Sequence, residues 1–146
     1  MYEDRIAEAV KLHAEGFNCS QSVVAAFADL FGFTKDQALR LSASFGGGIG
    51  RMRETCGAAC GMFILLGMLN GSTDGKDSKG KTANYSSVRE LAAKFKKENG
   101  AMLCRDLLGL DEKGKPIVGH KKRPCSLMVE TAAKIFADYL EKHPNP

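Results

Sequence analysis

Apolar positions recur at spacings of three and four along most of the chain, and polar or glycine-rich breaks cut this pattern into helical segments. Tyr2, Ile6, Ala9, Val10 and His13 share one face of a helix predicted over residues 1–15, which Gly16 ends. Asn18 suits the N-cap of a second helix, Cys19 to Phe31, with Cys19, Val23, Ala26, Phe27, Leu30 and Phe31 inward. Gly32 stops it, and Thr34 caps a third helix from Lys35 to about Ala43, with Ala38, Leu39 and Leu41 buried. Glycines at 46, 47, 48 and 50 disfavour a helix there, because glycine loses the most backbone entropy on ordering. Beyond this hinge an apolar helix is predicted from Glu54 to Leu69, closed by Asn70-Gly71.

Residues 71–82 contain no apolar side chain and read as a solvent loop. Asn84 or Ser86 opens the next helix, through Glu98, with Tyr85, Val88, Leu91, Ala92 and Phe95 inward. A short helix follows from Ala101 to Leu108, ended by Gly109, and residues 110–123 read as irregular. Pro124 suits the first turn of a last helix, striped by Cys125, Met128, Val129, Ala132, Ile135, Phe136, Tyr139 and Leu140. Pro144 and Pro146 close the chain, and Ile117-Val118 is too short for a strand. The expectation is the all-α class: one domain over residues 1–146, a compact bundle of six or seven helices around one core.

Composition changes this picture little. With 146 residues, 44% hydrophobic and 26% charged, the chain can bury a proper core. The net charge of +4 is spread out, and its densest cluster is His120-Lys121-Lys122-Arg123, so no nucleic-acid partner is expected. The N-terminal residues are polar and do not resemble a signal peptide. The longest apolar run, Ala58 to Leu69, is too short to span a bilayer. No membrane association and a cytoplasmic location are therefore expected, with a homodimer if the face of the Met62 to Leu69 helix is exposed.

The five cysteines, Cys19, Cys56, Cys60, Cys104 and Cys125, bring in chemistry. A structural disulfide framework is not expected of an odd number in a reducing compartment. Cys19, Cys56 and Cys125 each fall in the first turn of a predicted helix, on its apolar side. There the helix dipole favours thiolate over thiol, and Arg51 and Arg53 just upstream of Cys56 act in the same sense. A Cys56–Cys60 disulfide is disfavoured while the helix holds, because Cβ atoms at i and i+4 are about 6 Å apart and a bridge needs about 4 Å. Gly57 and Gly61 line one helix face and let another backbone or a ligand come close. Helix ends converging on one place would suit thiolates or an anionic cluster. Plain burial as small hydrophobes is the competing reading.

The order Cys19, Phe45-Gly46-Gly47-Gly48-Ile49-Gly50-Arg51, Cys56-Gly57-Ala58-Ala59-Cys60-Gly61, Cys104-Arg105-Asp106-Leu107-Leu108-Gly109, Cys125 resembles the redox-active C_GCAxxG_C_C family over nearly the whole chain. The resemblance implies a helical domain with four characteristic cysteines and a redox role, with an iron–sulfur or similar prosthetic group. By position these are Cys19, Cys56, Cys104 and Cys125, as redox thiols or as metal ligands. Cys60 occupies a variable position and is an addition whose part stays open.

Gly47, Gly48, Gly50 and Arg51 form a second candidate element. The run is neither G-x-G-x-x-G nor a P-loop, but its backbone N–H groups can hold an anion or cofactor. His120, five residues before Cys125, is a candidate extra ligand. Three functions remain open. The first is a metal or iron–sulfur protein passing electrons to a redox partner protein. The second is a metal-free thiol–disulfide protein, and the third is a non-catalytic helical binding domain with structural cysteines.

Overall fold

The computed structural model describes residues 1–144; Asn145 and Pro146, and with them the expected terminal role of Pro146, lie outside the described residues. Among the described residues seven helices form the bundle: α1 Glu3–Ala14, α2 Cys19–Phe27, α3 Lys35–Ser42, α4 Gly57–Asn70, α5 Ser78–Asn99, α6 Cys104–Leu108 and α7 Cys125–Lys142. Among the described residues there is no strand, only isolated bridges between Thr55 and Leu103 and between Leu110 and Pro116. The all-α expectation holds.

α2 is the hub and packs against α1, α3, α4 and α7. Its start is set by a capping box: Asn18 Oδ1 accepts from the Gln21 amide, and Gln21 Oε1 accepts from the Asn18 amide. A short 3-10 turn, Ala28–Phe31, extends it to the predicted end. Phe27 and Phe136 meet edge to face with ring centroids 5.1 Å apart, which joins α2 to α7. α4 lies along α2 because Gly61 has no Cβ; one placed there would stand 3.0 Å from the Ser20 carbonyl oxygen. On α4, Met62, Leu65 and Leu66 are fully buried, and Phe63, Ile64, Met68 and Leu69 pack against the same core. Most of its apolar surface is thus covered by its own chain.

Four expectations are corrected. α5 starts at Ser78, inside the segment read as solvent loop, because the Asp77 carboxylate caps the Gly80 amide. Its first turns carry no apolar stripe because they are exposed: periodicity reports burial, not helicity. Leu41, read as buried, is 48% exposed, and the small Ser42 takes the inward position of α3. Leu12, outside the predicted stripe of α1, is 1% exposed. α4 begins at Gly57 rather than Glu54, since Thr55 is held in its bridge to Leu103.

Candidate functional site: four cysteines at helix starts around a left-handed turn

The glycine-rich segment, expected to be a hinge, is a turn of unusual hand. Gly47, Gly48, Ile49, Gly50 and Arg51 have φ of 68°, 71°, 66°, 58° and 64°, and Arg53 follows at 60°. Left-handed backbone costs a residue with a Cβ about 1–2 kcal/mol, so Ile49, Arg51 and Arg53 are strained. Internal hydrogen bonds hold them. The amide of Gly50 donates to Ser44 O (2.9 Å), Arg51 to Gly46 O (3.2 Å), Arg53 to Gly47 O (3.3 Å) and Glu54 to Gly48 O (2.9 Å). The amides of residues 50, 51, 53 and 54, in and just beyond the expected anion element, are therefore spent on backbone carbonyls. Gly47, Gly48 and Gly50 shape the turn, and the side chain of Arg51 is exposed.

Strain of this kind persists where surrounding structure over-determines it, and here it positions cysteines. From the turn the chain runs directly beside α6. Cys104 N donates to Glu54 O at 2.6 Å, and Cys56 N donates to Met102 O at 2.8 Å. Thr55 and Leu103 pair between them, so Cys56 and Cys104 flank one bridge. Two glycines make room for thiols. A Cβ on Gly57 would lie 2.5 Å from Cys19 Sγ, and one on Gly48 would lie 2.5 Å from Cys104 Cβ.

Each of the four spaced cysteines stands at the start of a helix. Cys19, Cys104 and Cys125 are the first residues of α2, α6 and α7, and Cys56 is the N-cap of α4. These starts come from four separate segments and converge. The charges of Cys19 and Cys104 bear on both Cys56 and Cys125. That of Cys19 also bears on Cys60. Cys56 Sγ meets Met128 Sδ at 3.9 Å, one turn along α7 from Cys125.

That arrangement carries the spacing Cys, Cys-Gly-Ala-x-x-Gly, Cys, Cys into three dimensions. The family profile described as "Putative redox-active protein (C_GCAxxG_C_C)" matches residues 17–139. The chain belongs to the C_GCAxxG_C_C family. No curated protein and no solved structure matches it. In this C_GCAxxG_C_C protein the glycine of the Cys-Gly-Ala element has a visible reason, since Gly57 is where Cys19 Sγ sits. Cys60, at the variable position, is 8% exposed and meets Thr55 O at 3.8 Å.

The expected lowering of thiol pKa at helix starts does not occur at Cys56. Burial pushes it from the ordinary 9.0 up to about 12, and Cys19 adds to the shift. Burial, then Cys19, raises Cys60 to about 11. Cys125 is also raised, by burial and then by Cys19 and Cys104, while Lys122 and Arg53 oppose the shift. Desolvation and like-charged neighbours outweigh the dipole. Arg53 does not serve Cys56 as expected. Its Nη1 instead donates to Cys104 Sγ at 3.6 Å. Cys19 and Cys125 are the half-exposed thiols of the group, and Cys56 and Cys104 are buried behind them.

The buried thiols make stability pH-dependent. A thiol pKa raised by folding means that the folded state holds its proton more tightly, so its contribution is complete below the ordinary 9.0 and is lost as pH climbs. Urea midpoints should fall between about pH 9 and 12. The fall should be shallower in Cys56→Ala, and an equal slope in both proteins would mean that Cys56 does not carry the effect.

The same geometry tests a metal-binding arrangement. Among the described residues no three His, Cys, Asp or Glu side chains come together so as to hold a metal ion. The sulfurs of Cys56, Cys60 and Cys104 turn to Met128, Thr55 and Arg53 respectively. As folded, the cysteines do not fit a shared metal or iron–sulfur cluster. His120 is exposed, with its ring over Gly109, where a Cβ would meet His120 Nδ1 at 2.6 Å. Arg105 and Met128 touch the site and were not singled out by spacing, as each reads as an ordinary surface or core residue. No helix among the described residues is long and apolar enough to cross a membrane.

Proposed function

We propose that this member of the C_GCAxxG_C_C family is a thiol–disulfide redox protein that carries two electrons in its cysteine cluster. One observation supports this above others. Cys19 is half-exposed and bears electrostatically on Cys56, Cys60 and Cys125. Its sulfur lies against Gly57, the residue that follows Cys56. Cys19 is the first residue of α2, and the thiolate is the form that attacks.

In the oxidising direction the Cys19 thiolate attacks one sulfur of a partner disulfide and forms a mixed disulfide. The partner's other sulfur leaves as thiolate. Cys125, the other half-exposed thiol, loses its proton and attacks the Cys19 sulfur. An intrachain disulfide closes and the partner's second sulfur departs as thiolate. The protein loses two electrons and two protons, and the partner disulfide is reduced to two thiols. Arg53 and Lys122 partly offset the burial that disfavours the Cys125 thiolate this step needs.

Alkylation against pH, with peptide mapping by mass spectrometry before and after treatment with a mild disulfide, tests the reading. Cys19 should react first, and a Cys19–Cys125 peptide should appear and vanish reversibly on reduction. Thiols that react only after unfolding would overturn it. A thiolate-bound metal or iron–sulfur centre is the second reading, motivated by the four helix starts facing one region. It requires the thiols to turn from their present contacts. It would be favoured by anaerobically purified protein whose metal content and charge-transfer absorption are lost in Cys19→Ser.

A further inference from the structure

A cleft of about 220 Å³ opens beside the left-handed turn, lined by Arg51, Met52, Arg53, Arg105 and the loop 111–114. At about 30 Å³ per water, it has room for roughly seven waters, which suits a small molecule rather than a peptide chain. Its charges are unevenly paired, with Arg51, Arg53, Arg105 and Lys113 set against Asp111 and Glu112. Arg105 Nη2 bonds Glu54 Oε1 at 2.9 Å. Asp111 Oδ1 accepts from the amides of Lys113 and Lys115, both at 2.9 Å, and is held by its own loop. Arg51, Arg53 and Lys113 have no carboxylate within ion-pair distance among the described residues. Arg53 faces both ways: it lines the cleft, donates to Cys104 Sγ at 3.6 Å, and its charge acts on Cys125.

We infer that the cleft is the recognition site for the reductant of the oxidised cysteine cluster, a partner distinct from the disulfide that oxidises Cys19, and that this reductant is a small thiol bearing a carboxylate. The inference rests on the thiol–disulfide reading above and names the substrate class for it. Arg51 and Lys113 take the carboxylate, and Arg53 guides the sulfur toward Cys125. The ligand thiolate attacks the Cys125 sulfur of the oxidised protein and releases the Cys19 thiolate, which takes a proton. A second ligand thiolate attacks the ligand sulfur of the mixed disulfide and releases Cys125. Two ligand thiols become one ligand disulfide, and the protein disulfide gains two electrons and two protons.

The test compares reduction of the oxidised full-length protein by 3-mercaptopropionate and by neutral 2-mercaptoethanol, at matched thiolate concentration. The anionic thiol should react about tenfold faster at low ionic strength, with the advantage shrinking as salt screens the cleft. In Lys113→Gln and in Arg51→Gln the ratio of the two rates should fall to within about twofold of one. Lys113 is an exposed loop residue, so that variant reads recognition without disturbing the turn. Propionate, which lacks the thiol, is titrated in parallel while the amide resonances of residues 51–53 and 111–114 are followed. Equal rates for both thiols and no saturable shift with propionate would overturn the inference and leave the thiol–disulfide reading standing. Saturable propionate binding with no thiol exchange by either reagent would overturn the thiol–disulfide reading, and the substrate assignment with it.

Discussion

Replacing Gly48 with alanine is expected to destabilise the protein by about 3 kcal/mol and to displace Cys104. Two costs combine. At φ of 71° a residue with a Cβ pays about 1–2 kcal/mol for left-handed backbone. The added carbon would also stand 2.5 Å from Cys104 Cβ and 2.9 Å from the backbone at Arg53 and Glu54. Backbone on two sides leaves no flexible group to yield, and such overpacking costs about 1–3 kcal/mol. The sum is a large share of the 5–15 kcal/mol by which domains of this size are ordinarily stable. Gly50→Ala separates the two costs. Its φ is 58°, but its nearest neighbour, Ser44 O, is 4.0 Å from the added carbon, so only the conformational cost of about 1–2 kcal/mol applies. Urea denaturation of both variants measures the difference. Equal losses would show that the fit against Cys104 contributes nothing.

The second large effect concerns reactivity rather than folding. Cys19→Ser should slow reversible disulfide formation on the order of a hundredfold or more, because a hydroxyl cannot replace the attacking thiolate. Its thermal midpoint should stay close to that of the parent, since Cys19 is half-exposed and its neighbour Asn18, not its own side chain, caps α2. Cys60→Ser gives the contrast: its thiol is buried and its sulfur meets the Thr55 carbonyl oxygen, so exchange should continue within about twofold. Stopped-flow oxidation by a small disulfide, with intact-mass detection, reads both variants. A Cys19→Ser protein that cycles as fast as the parent would move the reacting thiol elsewhere in the cluster.

Both expectations turn on a division between local and non-local information. Local chemistry made α2 and α7 legible: an Asn18–Gln21 capping box and a proline before Cys125 mark two helix starts within a few residues. The positions of Cys19 and Cys125 at those starts follow directly. The start of α4 was misjudged because Thr55 answers to Leu103, a residue distant in sequence. The first turns of α5 were missed because a helix with no buried face carries no apolar period. At the glycine run, composition indicated that a right-handed helix would not form there. It did not indicate the left-handed turn, which draws Ile49, Arg51 and Arg53 into strained backbone.

By itself the sequence determined an all-helical chain, the helix starts that carry Cys19 and Cys125, and glycines where backbone must come close. These depend on neighbours a few residues away. Only the tertiary structure decided that the thiols of Cys56 and Cys60 are held protonated, that Arg53 serves Cys104 rather than Cys56, and that a cationic cleft opens beside them. Desolvation and charge pairing depend on which distant segments pack around a group, and linear spacing does not carry that information.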